Sequence, residues 1–455
     1  MTRRLGLLAA LLAALTVATV ACRVDAGGWS FGWGGPAPQG PPVPGARGEL
    51  LYIRGGDVWT YDLERGVERR VTQTGGARFP RWSATGQWIS VERGGRLWIM
   101  KRDGSGAFAA PGGDVPASAR WAPRGTRIVY TSADGSLSLL DPTLGERGRR
   151  ILVPPGNGAG PHVVWSHDTT RLAYERHQPA GQNNSSEGIW IINTLGRDAN
   201  PIFLTSGDFS LEICCWLITD DYVLLWRGTR TTSVRADGAP LFIARTDSGS
   251  PIPISTATLL YRDWLDSSPR FDAIAFVAGG GREATAGKSL MLAGLPRGAT
   301  NAAAAGVSTI VADPALAPAS PRWAPMGGEI AYSVGPSLEA KNGDLAATLA
   351  GRRIDVIQPD GTEKRSLLSE ATVPAGVSDE RPQWSRDGRT LVFVRRLQPE
   401  QAARTVSGQA PGEVEIWVAT ADGSSARRAV GGLPDPGIGY FGHIDWEEVF
   451  EYRHS

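Results

Sequence analysis

From Leu50 onward the apolar residues come in short alternating runs, and the runs stop at Gly, Pro or Asp-Gly. In Phe79–Gly106, FPRWSATGQWISVERGGRLWIMKRDGSG, the runs Ile89-Ser90-Val91 and Leu97-Trp98-Ile99 repeat with the period of two that puts successive side chains on opposite faces of a strand. Gly94-Gly95 and Asp103-Gly104 lie between and after them, and such pairs accept the positive φ of tight hairpin turns. The stretch predicts antiparallel hairpins.

The same unit returns along the chain. Aligning the Trp of PRWS gives Trp82, Trp121, Trp165, Trp216, Trp264, Trp323, Trp384 and Trp446, spaced by 39 to 62 residues. Seven residues after most of them comes a strand-like run such as Ile128-Val129-Tyr130, Ile330-Ala331-Tyr332 or Leu391-Val392-Phe393; at Trp264 it comes ten residues on. A third run follows, as in Ile189-Trp190-Ile191 and Ile416-Trp417-Val418, then a fainter edge strand such as Arg149-Arg150-Ile151-Leu152 or Arg427-Arg428-Ala429-Val430. Four short strands per repeat describe a propeller blade, and eight copies describe a repeat architecture. Residues 50–72 have no preceding Trp strand, while HIDWEEVFEYRHS carries one and then stops. The C-terminal strand is therefore expected to complete the N-terminal blade. The predicted fold is all-β: a single β-propeller of eight four-stranded blades over 49–455, with seven blades as runner-up if the Trp264 unit is not a full blade.

The pattern PRWSxxGxxI…LWxxxxDG resembles the repeats of TolB-like and related WD-repeat-like propellers, and the resemblance runs from Leu50 to the C-terminus. It implies an extracytoplasmic propeller that docks other proteins near an envelope, and it is silent on activity. The separate α/β domain that TolB carries ahead of its propeller has no counterpart in the stretch before Leu50.

That stretch changes the picture in another way. MTRRLGLLAALLAALTVATVAC has a short basic start, an apolar run from Leu5 to Val20 and small residues leading into Cys22, the layout of a secretory signal over 1–21. Thr19-Val20-Ala21-Cys22 resembles a bacterial lipobox, departing from it at Thr19 where Leu is usual; ordinary cleavage nearby, giving a soluble secreted chain, is the alternative. Residues 22–48 are Gly- and Pro-rich and read as a tether spanning roughly 30 Å as a flexible chain. Removing Arg3 and Arg4 takes the formal charge from +1 to −1, which argues against a nucleic-acid partner.

Catalytic and cofactor motifs give little. AGGGREATAGKS, Ala278–Ser289, ends like a phosphate loop, but Arg282 stands where Gly is needed and the loop joins two strands rather than a strand and a helix, so no nucleotide is expected. There is no G-x-S-x-G elbow, no H-E-x-x-H and no Cys-His zinc spacing; a metal pair at His162 and His167 is a minor alternative, and no metal or other cofactor is expected. Cys214-Cys215 in one strand are expected to point to opposite faces as buried free thiols, with a vicinal disulfide as second reading. The connections between second and third strands are long in five successive blades (176–188, 227–240, 278–288, 334–352, 395–413), and loops that the repeat does not need are where binding tends to sit. They hold Arg176, His177, Glu187, Arg227, Arg230, Arg282, Glu283, Glu339, Lys341, Asp344, Arg395, Arg396 and Arg404, a rim suited to acidic partners. The expected function is a non-enzymatic binding or scaffold module, lipid-anchored through Cys22 at the periplasmic or extracellular face of a membrane, engaging a protein or envelope polymer. The alternative is a carbohydrate-active propeller lyase or hydrolase with its site at the central channel. Mass spectrometry of the mature protein is expected to find an acylated Cys22 at the N-terminus; an unmodified N-terminus beyond Cys22 would refute the anchor.

Overall fold

A computed structural model describes residues 43–454 apart from 115–117, 157, 179–185, 198, 207–208, 230–236, 248–250, 282, 296–305, 340–350, 370–372, 374–376, 398–412 and 440–441. The described chain forms eight four-stranded antiparallel sheets. Seven are built from consecutive strands. Blade 2, for example, runs Ala77–Trp82, Trp88–Arg93, Arg96–Lys101 and Phe108–Ala109 from first strand to fourth. Blade 1 is composite: Glu49–Arg54, Asp57–Asp62 and Val67–Arg70 are joined by Phe450–Arg453, which pairs with Glu49–Arg54 in the first-strand position.

The apolar alternation is resolved by the ring. Each sheet has two faces to cover, and the buried side chains sort into eight clusters, one at each junction between neighbouring blades. The cluster between blades 8 and 1 holds Val392, Val394 and Ile416 against Leu50, Tyr52 and Phe450, so the last junction is as apolar as the others.

The Trp residues tie blade to blade. The indole Nε1 of Trp165 donates to Arg120 O (2.9 Å), Trp216 to Val164 O (3.1 Å), Trp323 to Asp266 O (3.0 Å) and Trp384 to Arg322 O (3.1 Å). In each case the acceptor is one residue before the corresponding slot in the preceding blade. Hairpin glycines allow equally close packing: a Cβ on Gly423 would meet Leu367 O at 1.6 Å, and one on Gly104 would meet Val71 O at 2.4 Å.

Register corrects two positions in the Trp alignment. Trp82 pairs with Ile89, Trp121 with Ile128 and Trp384 with Leu391. In blade 6 the partner of Ile274 is Ser267, and in blade 1 the partner of Leu50 is Tyr452. Trp264 and Trp446 instead sit in the one-turn 3-10 segments Arg262–Trp264 and Trp446–Glu448 that precede those strands. The ten-residue spacing after Trp264 was the mark of this shift, and blade 6 is nonetheless complete.

Cys214 and Cys215 also differ from expectation. A bulge pairs Ile213 with Leu225 and Cys215 with Leu224, leaving Cys214 as the extra residue, and both thiols pack on the same apolar cluster between blades 5 and 6. Both are free, and a hydrogen bond with Cys214 together with burial pushes the Cys215 thiol well up.

Deleting His443–Ser455 is expected to unfold the whole ring, because it removes the first strand of blade 1 and bares a sheet edge. Circular dichroism melting checks this; a deletion variant with the wild-type melting temperature would refute the composite blade.

Candidate functional site

The first strand of each blade lines the centre of the ring, and three of these strands carry the same distortion. Register shifts fall between Arg78 and Arg81, Ala319 and Arg322, and Glu380 and Gln383. At each, the residue three before the Trp has a left-handed backbone: Phe79 at φ 50°, Ser320 at φ 49° and Arg381 at φ 53°. Pro80, Pro321 and Pro382 follow directly, and a non-glycine residue in this region costs on the order of 1–3 kcal/mol. Such bulges re-aim side chains. Here they accompany arginines that meet over the channel.

The segment between blade 8 and the last strand supplies the other half of the cluster. Glu447 accepts hydrogen bonds from Arg81 Nη2 of blade 2 (2.5 Å) and Arg381 Nη2 of blade 8 (3.1 Å), while Arg81 Nη1 also reaches Glu447 O (2.8 Å). His443 Nε2 lies 2.8 Å from Asp263 Oδ1, beside blade 6, and its ring stacks on Tyr261 with centroids 3.8 Å apart. Arg381 Nη1 stands 3.6 Å from Asp263 Oδ2, and Arg322 Nη1 donates to Asp263 O (3.1 Å). Residues 443–447 thus bind blades 2, 6 and 8 at once. On the far wall His162 Nδ1 lies 2.8 Å from Glu175 Oε1, and its Nε2 is 3.7 Å from Glu212.

A cavity of about 410 Å³ opens among these groups, lined by Arg81, Arg120, Arg262, His162, Glu212, Tyr261, His443 and Glu447, with Phe79, Val91 and Leu260 as its apolar wall. It also touches Glu92 and Leu97, which flank the Gly94-Gly95 turn, so it lies at the end of the ring where the second-to-third-strand loops emerge.

The electrostatics are those of a crowded polar pocket. Burial would raise the Asp263 carboxyl, but His443, Arg381 and Arg322 outweigh it and hold it below the usual carboxylate range. Burial lowers His443, yet Asp263 and then Asp445 carry it above the ordinary imidazole value. Glu447 is held well down: burial opposes its charge, and Arg81, Arg381 and Arg120 override that. Asp445 is raised by burial and by its neighbours Glu447 and Asp263. The Arg120 guanidinium is pulled down to about 9 by burial and by Arg262, and Tyr261 is pushed up to about 12 by burial. Arg120 and Arg262 both line the cavity, and like charges placed so favour an anion beside them.

The predicted rim fares differently from residue to residue. Arg230, Arg282, Lys341, Asp344 and Arg404 lie outside the described residues. His177 and Glu187 are backbone partners in blade 4, Arg176 stacks on Trp190 (4.6 Å), Arg227 stands over Phe203 (5.9 Å), Glu283 is half-buried and Glu339 is exposed. Arg395 and Arg396 are not rim residues. Both belong to the second strand of blade 8, Thr390–Leu397; Arg395 is 2% exposed, grips Asp379 through Nε and Nη2 (2.7 and 2.8 Å) and stacks on Trp417, and Arg396 pairs with Asp435 (2.8 Å). The strand runs past its apolar core because Asp379 and Glu415 stand opposite Arg395 in the ladder. Removing Arg395 would leave Asp379 an uncompensated buried charge, at a cost of about 3–5 kcal/mol.

Other candidates resolve plainly. Lys288 is buried and closes its own loop by donating to Gly280 O and Ala286 O, both at 2.9 Å. His167 bonds Asp220 rather than sharing a site with His162, and among the described residues no group of three or more His, Cys, Asp or Glu side chains is placed to hold a metal ion. The channel cluster itself escaped sequence reasoning, since its members come from blades far apart in the chain. The available signal was the Arg in PRW and ARW, beside the acidic run after His443.

The fold and site define the class: an eight-bladed β-propeller with a polar, charged channel site. No protein-family model matches the chain, and no curated protein does. Solved structures similar to it include a eukaryotic initiation factor (10% identity, TM-score 0.52, covering 94% of this chain and 92% of that one). An assigned TolB from Agrobacterium tumefaciens is 12% identical over 90% of this chain and 98% of its own, with a TM-score of 0.36. An oligogalacturonate lyase in complex with manganese is 10% identical over 84% and 85%, with a TM-score of 0.41. At these identities the likeness is one of fold. Among the described residues no helix is long and apolar enough to cross a membrane.

The Asp263–His443 pair carries a pH signature. Because folding raises His443, its contribution is full below the unfolded value near 6.5 and fades as pH rises through the raised folded value. Because folding lowers Asp263, its contribution is present above its unfolded value near 3.8 and fades as pH falls through the lowered one. His443→Gln is therefore expected to lower the melting temperature most between about pH 4 and 6.5, with the deficit shrinking at higher pH. A deficit independent of pH from 5 to 9 would refute the charged pairing.

Proposed function

We propose that this chain is an extracytoplasmic binding propeller, held at a membrane by lipid on Cys22, that takes a carboxylate-bearing ligand of a protein or envelope polymer in its channel cavity. The observation that carries this reading is the convergence of Arg81, Arg120 and Arg262 on one cavity with an apolar wall beside it. Guanidiniums hold carboxylates through paired hydrogen bonds, and the faces of Phe79 and Tyr261 offer surface to the carbon skeleton of the same ligand. The long loops at the same end of the ring would widen the contact, with Arg176, Arg227, Glu283 and Glu339 at its margin.

One feature favours a second reading. Asp263 and His443 make a carboxylate–imidazole pair beside the cavity, the arrangement of a general acid or base. A channel enzyme acting on an acidic polysaccharide would use it.

Incubating the protein with a uronic-acid oligosaccharide and with an acidic peptide separates these readings. Binding without change of the ligand, lost by at least tenfold in Arg120→Ala/Arg262→Ala (about 1.4 kcal/mol or more), is the expected result. Shortening of the oligosaccharide that His443→Gln abolishes would establish the enzyme instead. Equal binding by wild type and the double Arg variant would remove the channel site altogether.

A further inference from the structure

The opposite end of the channel carries a second cavity, of about 520 Å³, whose lining includes Arg124, Arg386, Glu451, Tyr452, Arg453 and His454. Three arginines from three blades line it. Arg124 and Arg386 stand in exposed turns after the first strands of blades 3 and 8, and neither has an ion-pair partner among the described residues. Arg453 ends the closing strand and donates to Glu49, but its Nε is buried without a hydrogen-bond partner among the described residues. Glu49 is also claimed by Arg102, so one carboxylate serves two cations.

The remaining groups leave Arg124 and Arg386 without an ion pair among the described residues. Glu451 is the only carboxylate lining the cavity; burial raises it to about 7, and its Oε2 accepts a hydrogen bond from the backbone N of Trp82. His454 packs edge-on against Tyr452, ring centroids 4.8 Å apart, and is held below the ordinary imidazole value by burial and then by Arg386 and Arg453.

We propose that this cavity is a phosphate-binding site, taking the phosphate group of a soluble anion or of a phospholipid headgroup. A phosphate offers enough acceptor oxygens for the guanidiniums of Arg124 and Arg386 together, beside Arg453, which a single carboxylate does not. Residues just before blade 1 lie at this same mouth, where Tyr452 donates its hydroxyl to Arg47 O (2.7 Å). The exposed apolar side chains Leu144, Leu195, Phe271 and Met326 lie in connections on that side as well, Leu144 within the 3-10 segment Pro142–Gly148. This site is independent of the channel cavity at the other end, and either can fail alone.

His454 reports on the site. In an NMR titration of the imidazole resonances, assigned with His454→Gln, inorganic phosphate is expected to raise the His454 pKa by roughly one unit. Arg124→Ala/Arg386→Ala should remove that rise while keeping the wild-type melting temperature, since both residues are exposed. A His454 titration indifferent to phosphate, or a rise that survives in the double variant, overturns the proposal. The source is decided by sedimenting the full chain carrying Cys22→Ser with vesicles. Binding to phosphatidylglycerol but not phosphatidylcholine, lost in the double variant, assigns the headgroup. A phosphate response without vesicle binding assigns a soluble anion.

Discussion

Every other feature depends on the apolar contact between neighbouring blades. A four-stranded sheet with two apolar faces has no stable existence alone, and each of the eight clusters is shared by two blades. The only arrangement that leaves no such face in water is a closed ring. Closure then dictates the channel, because it gathers all the first strands around one axis and makes their inward residues neighbours whatever their distance in the chain.

The Trp indoles show how the repeat fixes this geometry. At four of the eight junctions a hydrogen bond from one blade to the backbone of the preceding first strand sets both the spacing and the rotation. Net, such a bond contributes only about 0.5–1.5 kcal/mol, but a missing partner in an apolar junction costs more. Trp82 is instructive: its Nε1 is buried with no hydrogen-bond partner among the described residues, and its ring is instead covered by the guanidiniums of Arg102 and Arg453 at 5.6 and 5.5 Å. It follows the composite blade, where Tyr452 replaces the repeat Trp and Glu451 the residue before it.

How much of this could be read from residues alone divides along physical lines. Strand runs, hairpin turns, blade number and the composite closure all rest on local periodicity, so they were legible. Trp264 and Trp446 misled because a Trp in a short 3-10 turn looks the same in sequence as one in a strand, and only spacing tells them apart. Arg395 and Arg396 misled in a different way: arginine suggests a surface until a carboxylate is known to stand across the ladder, and Asp379 lies 16 residues away in the chain. The channel cluster was illegible for the same reason on a larger scale, since Asp263 and His443 are 180 residues apart.

The segment that closes the ring is also the one that furnishes the channel. His443, Asp445 and Glu447 directly precede Phe450–Arg453, and Arg453 and His454 then border the far mouth. In the chain these residues follow all seven blades built from consecutive strands. A nascent or prematurely terminated chain therefore has neither a finished ring nor either pocket, and it acquires all three in a single event. Assembly and pocket formation are one switch, so a protease that clears open sheet edges would remove every copy that lacks its pockets.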